Sequence, residues 1–139
     1  AGALIVMGDD LADAPADFGV NASLFIYIGH TLSPAARNAH FILPAATFAE
    51  MEGSFTNVNS RVQRFWPALK VPGMTRPAWQ ILGVLRAGIV GDAAPATPAD
   101  AFALLAEVRA EFGGVRWEDL GVQGQELPRV GALVDTAGD

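Results

Sequence analysis

Three apolar runs, ALIVMG (residues 3–8), LFIYIG (24–29) and HFILPA (40–45), are continuous rather than alternating. A half-exposed strand alternates and a strand covered on both faces does not, so these runs predict neighbouring strands of a buried parallel sheet. Little chain separates them. The link DDLADAPADFGVNA (9–22) is near the shortest that carries a parallel crossover. In the second link, HTLSPAARNA (30–39), Ser33 caps and Pro34 opens a helix of only a turn or two. Three strands with such slight helices cannot cover both faces of their sheet. Either the residues are the C-terminal piece of a longer polypeptide, or a tight homodimer supplies the cover.

Beyond the third run the pattern changes. Thr47 and Glu50 have the spacing of a capping box, and Gly53 fits a left-handed stop, which predicts a short helix over 48–52. The stretch FTNVNSRVQRF (55–65) surrounds Asn59-Ser60 with β-branched and aromatic residues and reads as a hairpin. Pro67, Pro72, Gly73 and Pro77 mark an extended linker over 67–77. A second helix runs from Pro77 to about Ala87, with Gly88 as its stop and Ala78, Leu82, Leu85 and Ile89 as its apolar stripe. Thr97-Pro98-Ala99-Asp100 opens a third, with Ala101, Leu105, Val108 and Phe112 on one face and Gly113-Gly114 at its end. The last stretch, from Gln125 to Asp139, reads as a loosely held tail.

The chain carries a net charge of −6, which argues against a general nucleic-acid binder. Its charge is uneven: residues 61–76 hold Arg61, Arg64, Lys70 and Arg76 without one acid. That stretch is either a solvated face or a contact for an acidic partner or a phosphate. With no cysteine, the residues cannot ligate zinc or an iron–sulfur cluster through thiolates. His30 and His40 are too few for a metal site and read as structural or surface residues. No apolar run approaches the roughly 18 residues of a membrane span, and the opening AGALIVMGDD lacks the basic region of a signal peptide.

Several chemistries are excluded by motif. No G-x-G-x-x-G, G-x-x-x-x-G-K or G-x-S-x-G occurs. Glu50 and Glu52, two apart on a helix, would point in different directions and could not flank one substrate. Glu50 is either a capping residue or a ligand contact. Trp66 and Trp79 flank the basic stretch, where core or interface packing is favoured over base stacking.

Ala39-His40-Phe41-Ile42-Leu43-Pro44, then Glu50, Gly53-Ser54-Phe55, Asn57, Arg61 and Gln63, resembles a signature of the molybdopterin oxidoreductase family. That signature runs A-D-x-V-L-P, a few residues, then E-x-x-G-T-x-x-N-x-x-x-R-x-Q. PGMTRPAWQIL (72–82) and TPADAFALLAEV with FGGVRWEDLGVQG downstream look like the form found in the large iron–sulfur subunit of NADH-quinone oxidoreductase (respiratory complex I). The resemblance covers roughly residues 1–124. It implies an α/β fold: the C-terminal part of a Rossmann-like parallel sheet of three strands, then a short hairpin and two amphipathic helices. Residues 1–66 would end the family's α/β domain, 67–125 would be linker plus helical region, and 126–139 a tail. In catalytic members this segment lies by a molybdopterin guanine dinucleotide, which suits ligand binding beyond the carboxyl ends of parallel strands and at the start of a helix over 48–52.

The sequence departs from the signature at His40, where Asp is usual, and at Asn59 and Ser60. These departures favour a non-catalytic scaffold segment of that large iron–sulfur subunit, in the peripheral arm on the cytoplasmic side of a bacterial membrane. Its partners would be the remainder of the polypeptide and neighbouring peripheral-arm subunits, without nucleic acid or membrane insertion. No cofactor is expected in this segment, and iron–sulfur clusters are expected upstream. Glu50, Gly53, Asn57, Arg61 and Gln63 are then vestigial cofactor-site residues. The alternatives are the C-terminal part of a catalytic molybdopterin-dependent formate dehydrogenase or reductase, and a stand-alone α/β binding module.

Overall fold

Strands form at each of the three apolar runs: β1 (Ala3–Met7), β2 (Leu24–Gly29) and β3 (Phe41–Pro44). They make a parallel sheet in the order β1-β2-β3, as the continuous patterning predicts. The structure is a computed structural model and describes residues 2–128. The register Ala3↔Leu24 and Ile26↔Phe41 places Leu4, Val6, Phe25 and Tyr27 on one face and Ile5, Met7, Ile26, Ile28 and Leu43 on the other. The first face packs on Leu11, Ala35 and Ala36 from the two links. The second packs on Ile81, Leu82 and Leu85 of the helix α1 (Ala78–Val90). The cover is thin over β1 on the second face: Ile5 stays 50% exposed and Met7 45%.

The links behave as their length dictates. The first contains turns alone, and the second a single 3-10 turn, Ala36–Asn38, entered where Ser33 Oγ accepts the Ala36 N–H at 3.2 Å. His40 joins β2 to β3 twice. Its N–H donates to the Phe25 carbonyl and its Nδ1 accepts the Phe25 N–H, both at 2.8 Å. The imidazole thus takes a structural part, accepting a bond that a carboxylate at this position could also accept.

A second, antiparallel sheet runs β4 (Gly53–Thr56), β5 (Arg61–Phe65), β6 (Gln125–Glu126), in that order. The predicted hairpin around Asn59-Ser60 forms. Asn57 Oδ1 accepts the N–H groups of Asn59 and Arg61 at 2.9 and 3.0 Å, and Ser60 takes the left-handed φ of 59° that closes the turn. Helix α2 (Pro98–Val108) opens with the predicted cap, in which Thr97 and Asp100 bond reciprocally. Val62, Phe102, Val115, Trp117, Leu120 and Leu127 form the core of this part. The chain divides into two compact units, one of residues up to Met51 with Pro67–Pro95, the other of Glu52–Trp66 with residues from Ala96 onward. The fold is mixed α/β, with two α-helices among the described residues.

Some local expectations are corrected. The helix expected over 48–52 is one turn: the Glu50 carboxylate accepts the Thr47 N–H at 2.9 Å, but the Glu50 N–H goes to the Thr47 carbonyl at 3.0 Å and no helix follows. Gly53 is therefore no helix stop. It opens β4 opposite Phe65, whose ring lies where a Cβ would be, 2.8 Å away. Helix α1 passes Gly88 and ends at Gly91, which supplies the left-handed φ of 82°; Ile89, expected in its stripe, is exposed. In α2 the inward residues are Ala99, Phe102 and Leu105, and Val108 faces solvent, because the helix ends there and a 3-10 turn, Ala110–Phe112, redirects Phe112. The expected tail begins as strand: Gln125 and Glu126 form β6 and Leu127 is buried, while 129–139 lie outside the described residues. No helix among the described residues is long and apolar enough to cross a membrane.

Candidate functional site

The signature side chains are placed by β5 and the turn before it. Alternation along β5 puts Val62 and Arg64 on the core side and Arg61 and Gln63 on the other. Residues 121–127 run antiparallel along the edge of β5 as a strap, turning at 121–124 where the Gly124 N–H donates to the Gly121 carbonyl at 3.1 Å, and the outward residues hold it. Arg61 Nη1 donates to the Gln123 and Gly124 carbonyls at 3.0 and 3.4 Å, and Nη2 reaches Glu126 at 2.6 Å. Gln63 Nε2 donates to the Val122 carbonyl at 2.7 Å. The backbone adds Arg64 N–H to Gly121 O at 3.4 Å and Leu127 N–H to Ser60 O at 2.8 Å. Gly124 makes the approach possible: a Cβ there would lie 2.1 Å from the Val62 carbonyl oxygen, and its φ is +64°.

Arg64, on the core side, is clamped. Its guanidinium hydrogen-bonds Glu52, with Nε 2.6 Å from the carboxylate, and pairs with the same carboxylate through Nη2. Its Cζ stands 5.1 Å from the centre of the Trp66 ring and 4.8 Å from that of Trp117. Both members of the ion pair are about three-quarters buried, so screening is reduced and the pair contributes more than a surface contact. Glu52 is accordingly paired with the nearby arginine. The basic stretch is partly consumed inside the fold: Arg61 and Arg64 bind their own chain, and Arg76 Nη1 donates to the Thr75 carbonyl at 2.9 Å.

Four of the five sequence-predicted site residues, Gly53, Asn57, Arg61 and Gln63, lie in the second unit and take separate parts there. Asn57 organises the hairpin turn, Arg61 and Gln63 share the strap, and Gly53 seats Phe65. Glu50 belongs to the first unit, where it closes the turn after β3. Sequence reasoning missed Trp117, Gly124 and the strap. The available signal was Gly121 and Gly124 between two apolar residues, Leu120 and Leu127, both of which are buried.

The other place to look is beyond the carboxyl ends of the parallel strands. The segments there, 8–13, 29–35 and 45–50, carry Asp9, Asp10, Asp13 and Glu50 and neither Lys nor Arg. Asp9 and Asp10 accept the N–H groups of Leu11 and Ala12. Tyr27, whose hydroxyl donates to the Thr31 carbonyl at 2.7 Å, has its phenol pKa pushed up, first by burial and then by Asp10 and Asp9. Arg76 reaches this end through its backbone bridge to Ala45. The rim at this end is therefore acidic, and a diphosphate bound there would have to overcome its Coulomb repulsion. Among the described residues no group of His, Asp and Glu is arranged to hold a metal ion.

A model of the molybdopterin oxidoreductase family matches residues 2–87. The chain is 31% identical over 133 residues to the F420-dependent formate dehydrogenase 2 subunit alpha of Methanococcus maripaludis, covering 90% of this chain and 20% of that protein. It is 30% identical over 124 residues to the putative formate dehydrogenase YrhE of Bacillus subtilis, covering 85% of this chain and 13% of that protein. It is 35% identical over 71 residues to the mitochondrial NADH-ubiquinone oxidoreductase 78 kDa subunit of Neurospora crassa, covering 51% of this chain and 9% of that protein. The chain thus spans a fifth or less of the length of these relatives.

Proposed function

The chain belongs to the molybdopterin oxidoreductase family, and from that premise we propose that it is a non-catalytic scaffold segment of the large iron–sulfur subunit of a respiratory complex I, an NADH-quinone oxidoreductase. One observation carries the reading: the polar signature residues Glu50, Asn57, Arg61 and Gln63 each bind their own chain. The acidic rim beyond the parallel strands supports it, as does the likeness to the 78 kDa subunit. On this reading the partners are the rest of the polypeptide and other peripheral-arm subunits, on the cytoplasmic side of a bacterial membrane. Iron–sulfur clusters belong to domains upstream, and this segment holds no pterin.

The second reading, a catalytic molybdopterin-dependent formate dehydrogenase or reductase, is favoured by the 133-residue span of the formate dehydrogenase match. In that case the bound cofactor would supply the redox chemistry, and Glu50 and the strand ends would lie nearest to it. Metal and pterin analysis of the purified full-length protein separates the two. The scaffold reading expects neither molybdenum nor tungsten in stoichiometric amount. One equivalent of either, with a pterin nucleotide, sinks it.

A further inference from the structure

We propose that the cleft between β3 and helix α1 binds a small amphipathic carboxylate, its anionic head on Arg76 and Gln80 and its apolar tail along the helix. The cleft has a volume of about 350 Å3 and is lined by Leu43, Arg76, Gln80, Ile81, Val84 and Leu85, all within the first compact unit. Ile81 and Leu85 stand one turn apart on α1, as do Gln80 and Val84, so one side of the helix forms a wall opposite Leu43 of β3. Four of the six side chains are apolar, and the two polar ones come from the end where α1 begins. A mostly apolar concavity with a few convergent polar groups is how small-molecule sites are built.

The polar end selects the head group. The backbone of Arg76 is fixed against β3: its N–H donates to the Pro44 carbonyl at 3.2 Å and its carbonyl accepts the Ala46 N–H at 2.9 Å. Its Nη1 donates to the Thr75 carbonyl, and among the described residues Nε and Nη2 carry no bond and no carboxylate pairs with the guanidinium. The Gln80 amide likewise has no partner among the described residues, and no acid lines the cleft. Helix α1 opens beside Arg76 without a capping side chain and without an acid in its first turn, so the positive end of its dipole is not offset locally. Arg76 is thus a member of the basic stretch that the fold leaves with free donors. A planar guanidinium with two free donors matches a carboxylate, repels an ammonium and gains little from an alcohol. A bare anion without a tail would leave the wall of Leu43, Ile81, Val84 and Leu85 unused. Neither reading of the chain's function uses this cleft, and the inference is independent of whether a pterin is bound.

Calorimetric titration of the purified full-length protein with octanoate tests the site. Octanoate should bind saturably at one equivalent. Butanoate, with half the tail, should bind at least about tenfold more weakly, as loss of buried methylenes requires. Octan-1-ol, which has the tail without the charge, should also bind at least about tenfold more weakly. Arg76→Gln should weaken octanoate binding about tenfold or more, and Arg76→Lys should restore part of the loss. Val84→Asp, which sets a like charge on the apolar wall, should weaken it at least as much. Arg76 and Val84 are both exposed, so neither change should shift the thermal unfolding of the protein. Absence of saturable octanoate binding overturns the proposal. So does binding that Arg76→Gln leaves unchanged, since the ligand then sits elsewhere, and so does equal binding of octan-1-ol, since the head then contributes nothing. Should Val84→Asp lower the unfolding temperature, the Arg76 variants decide alone.

Discussion

In the parallel sheet Phe25, Tyr27 and Ile28 are almost wholly buried against apolar side chains, whereas in the antiparallel sheet Val62 alone is buried, against Phe102, Trp117 and Leu120, and polar contacts join the outward side of β5 to residues 121–127. The first arrangement is non-directional. Any side chains of suitable volume can supply its free energy, roughly 1.5–3 kcal/mol for each large residue taken from water. The outward side of the second depends on direction: one guanidinium, one amide and one glycine must stand where they do for 121–127 to run along β5. The difference explains how polar residues of a cofactor-associated signature can be retained where their own chain uses them. They hold a fold that hydrophobic burial alone would not specify.

The contrast predicts unequal costs. Phe25→Ala should be the most damaging change, about 3–5 kcal/mol by urea unfolding, since it empties a closed site on the central strand. A loss below about 1 kcal/mol would mean that burial does not dominate the parallel sheet. Arg64→Ala should cost less, about 2–3 kcal/mol, by stripping Glu52 of its partner and two indole rings of their cation. Arg64→Lys should recover under half of it, because an ammonium lacks the planar fork that meets a carboxylate and two rings together. Full rescue by lysine would show that charge alone matters there.

How far the sequence could be read follows the same division. The continuous runs at 3–8, 24–29 and 40–45 became β1, β2 and β3 because burial is written locally, in the hydropathy of consecutive residues. The hairpin was legible through Asn59-Ser60, although Asn57 does the organising. Thr47 and Glu50 were misleading. Capping spacing is necessary for a helix start, but a helix must also continue, and Gly53 is drawn instead into β4 by its pairing with Phe65. Glu52, Arg64, Trp66 and Trp117 could not have been joined from sequence, since Trp66 and Trp117 stand far apart in the chain and no period relates them. Arg61 and Gln63 were found as site residues through the resemblance. That their partners are the carbonyls of 122–124 is tertiary information, absent from spacing.

The smallest effects separate a local device from both sheets. The cap of α2 needs no tertiary partner: Thr97 Oγ1 accepts the Asp100 N–H at 3.2 Å and Asp100 accepts the Thr97 N–H at 2.8 Å. Thr97→Ala should cost about 1 kcal/mol, read by urea unfolding. The Asp100 carboxyl is held below its ordinary pKa, first by its contact with the Thr97 side chain and then by the Thr97 and Ala96 N–H groups. A folded-state pKa below the unfolded one means that Asp100 contributes fully above the unfolded value, about 4, and loses its contribution as pH falls through the folded value. The stability difference between the unmodified chain and Asp100→Asn should therefore be present at neutral pH and shrink as the solution is acidified below about pH 4. Both proteins share every other carboxylate, so the difference isolates this one. A gap that persists unchanged at low pH would show that the side chain acts through its shape and not its charge, and the cap would then be neutral hydrogen bonding alone.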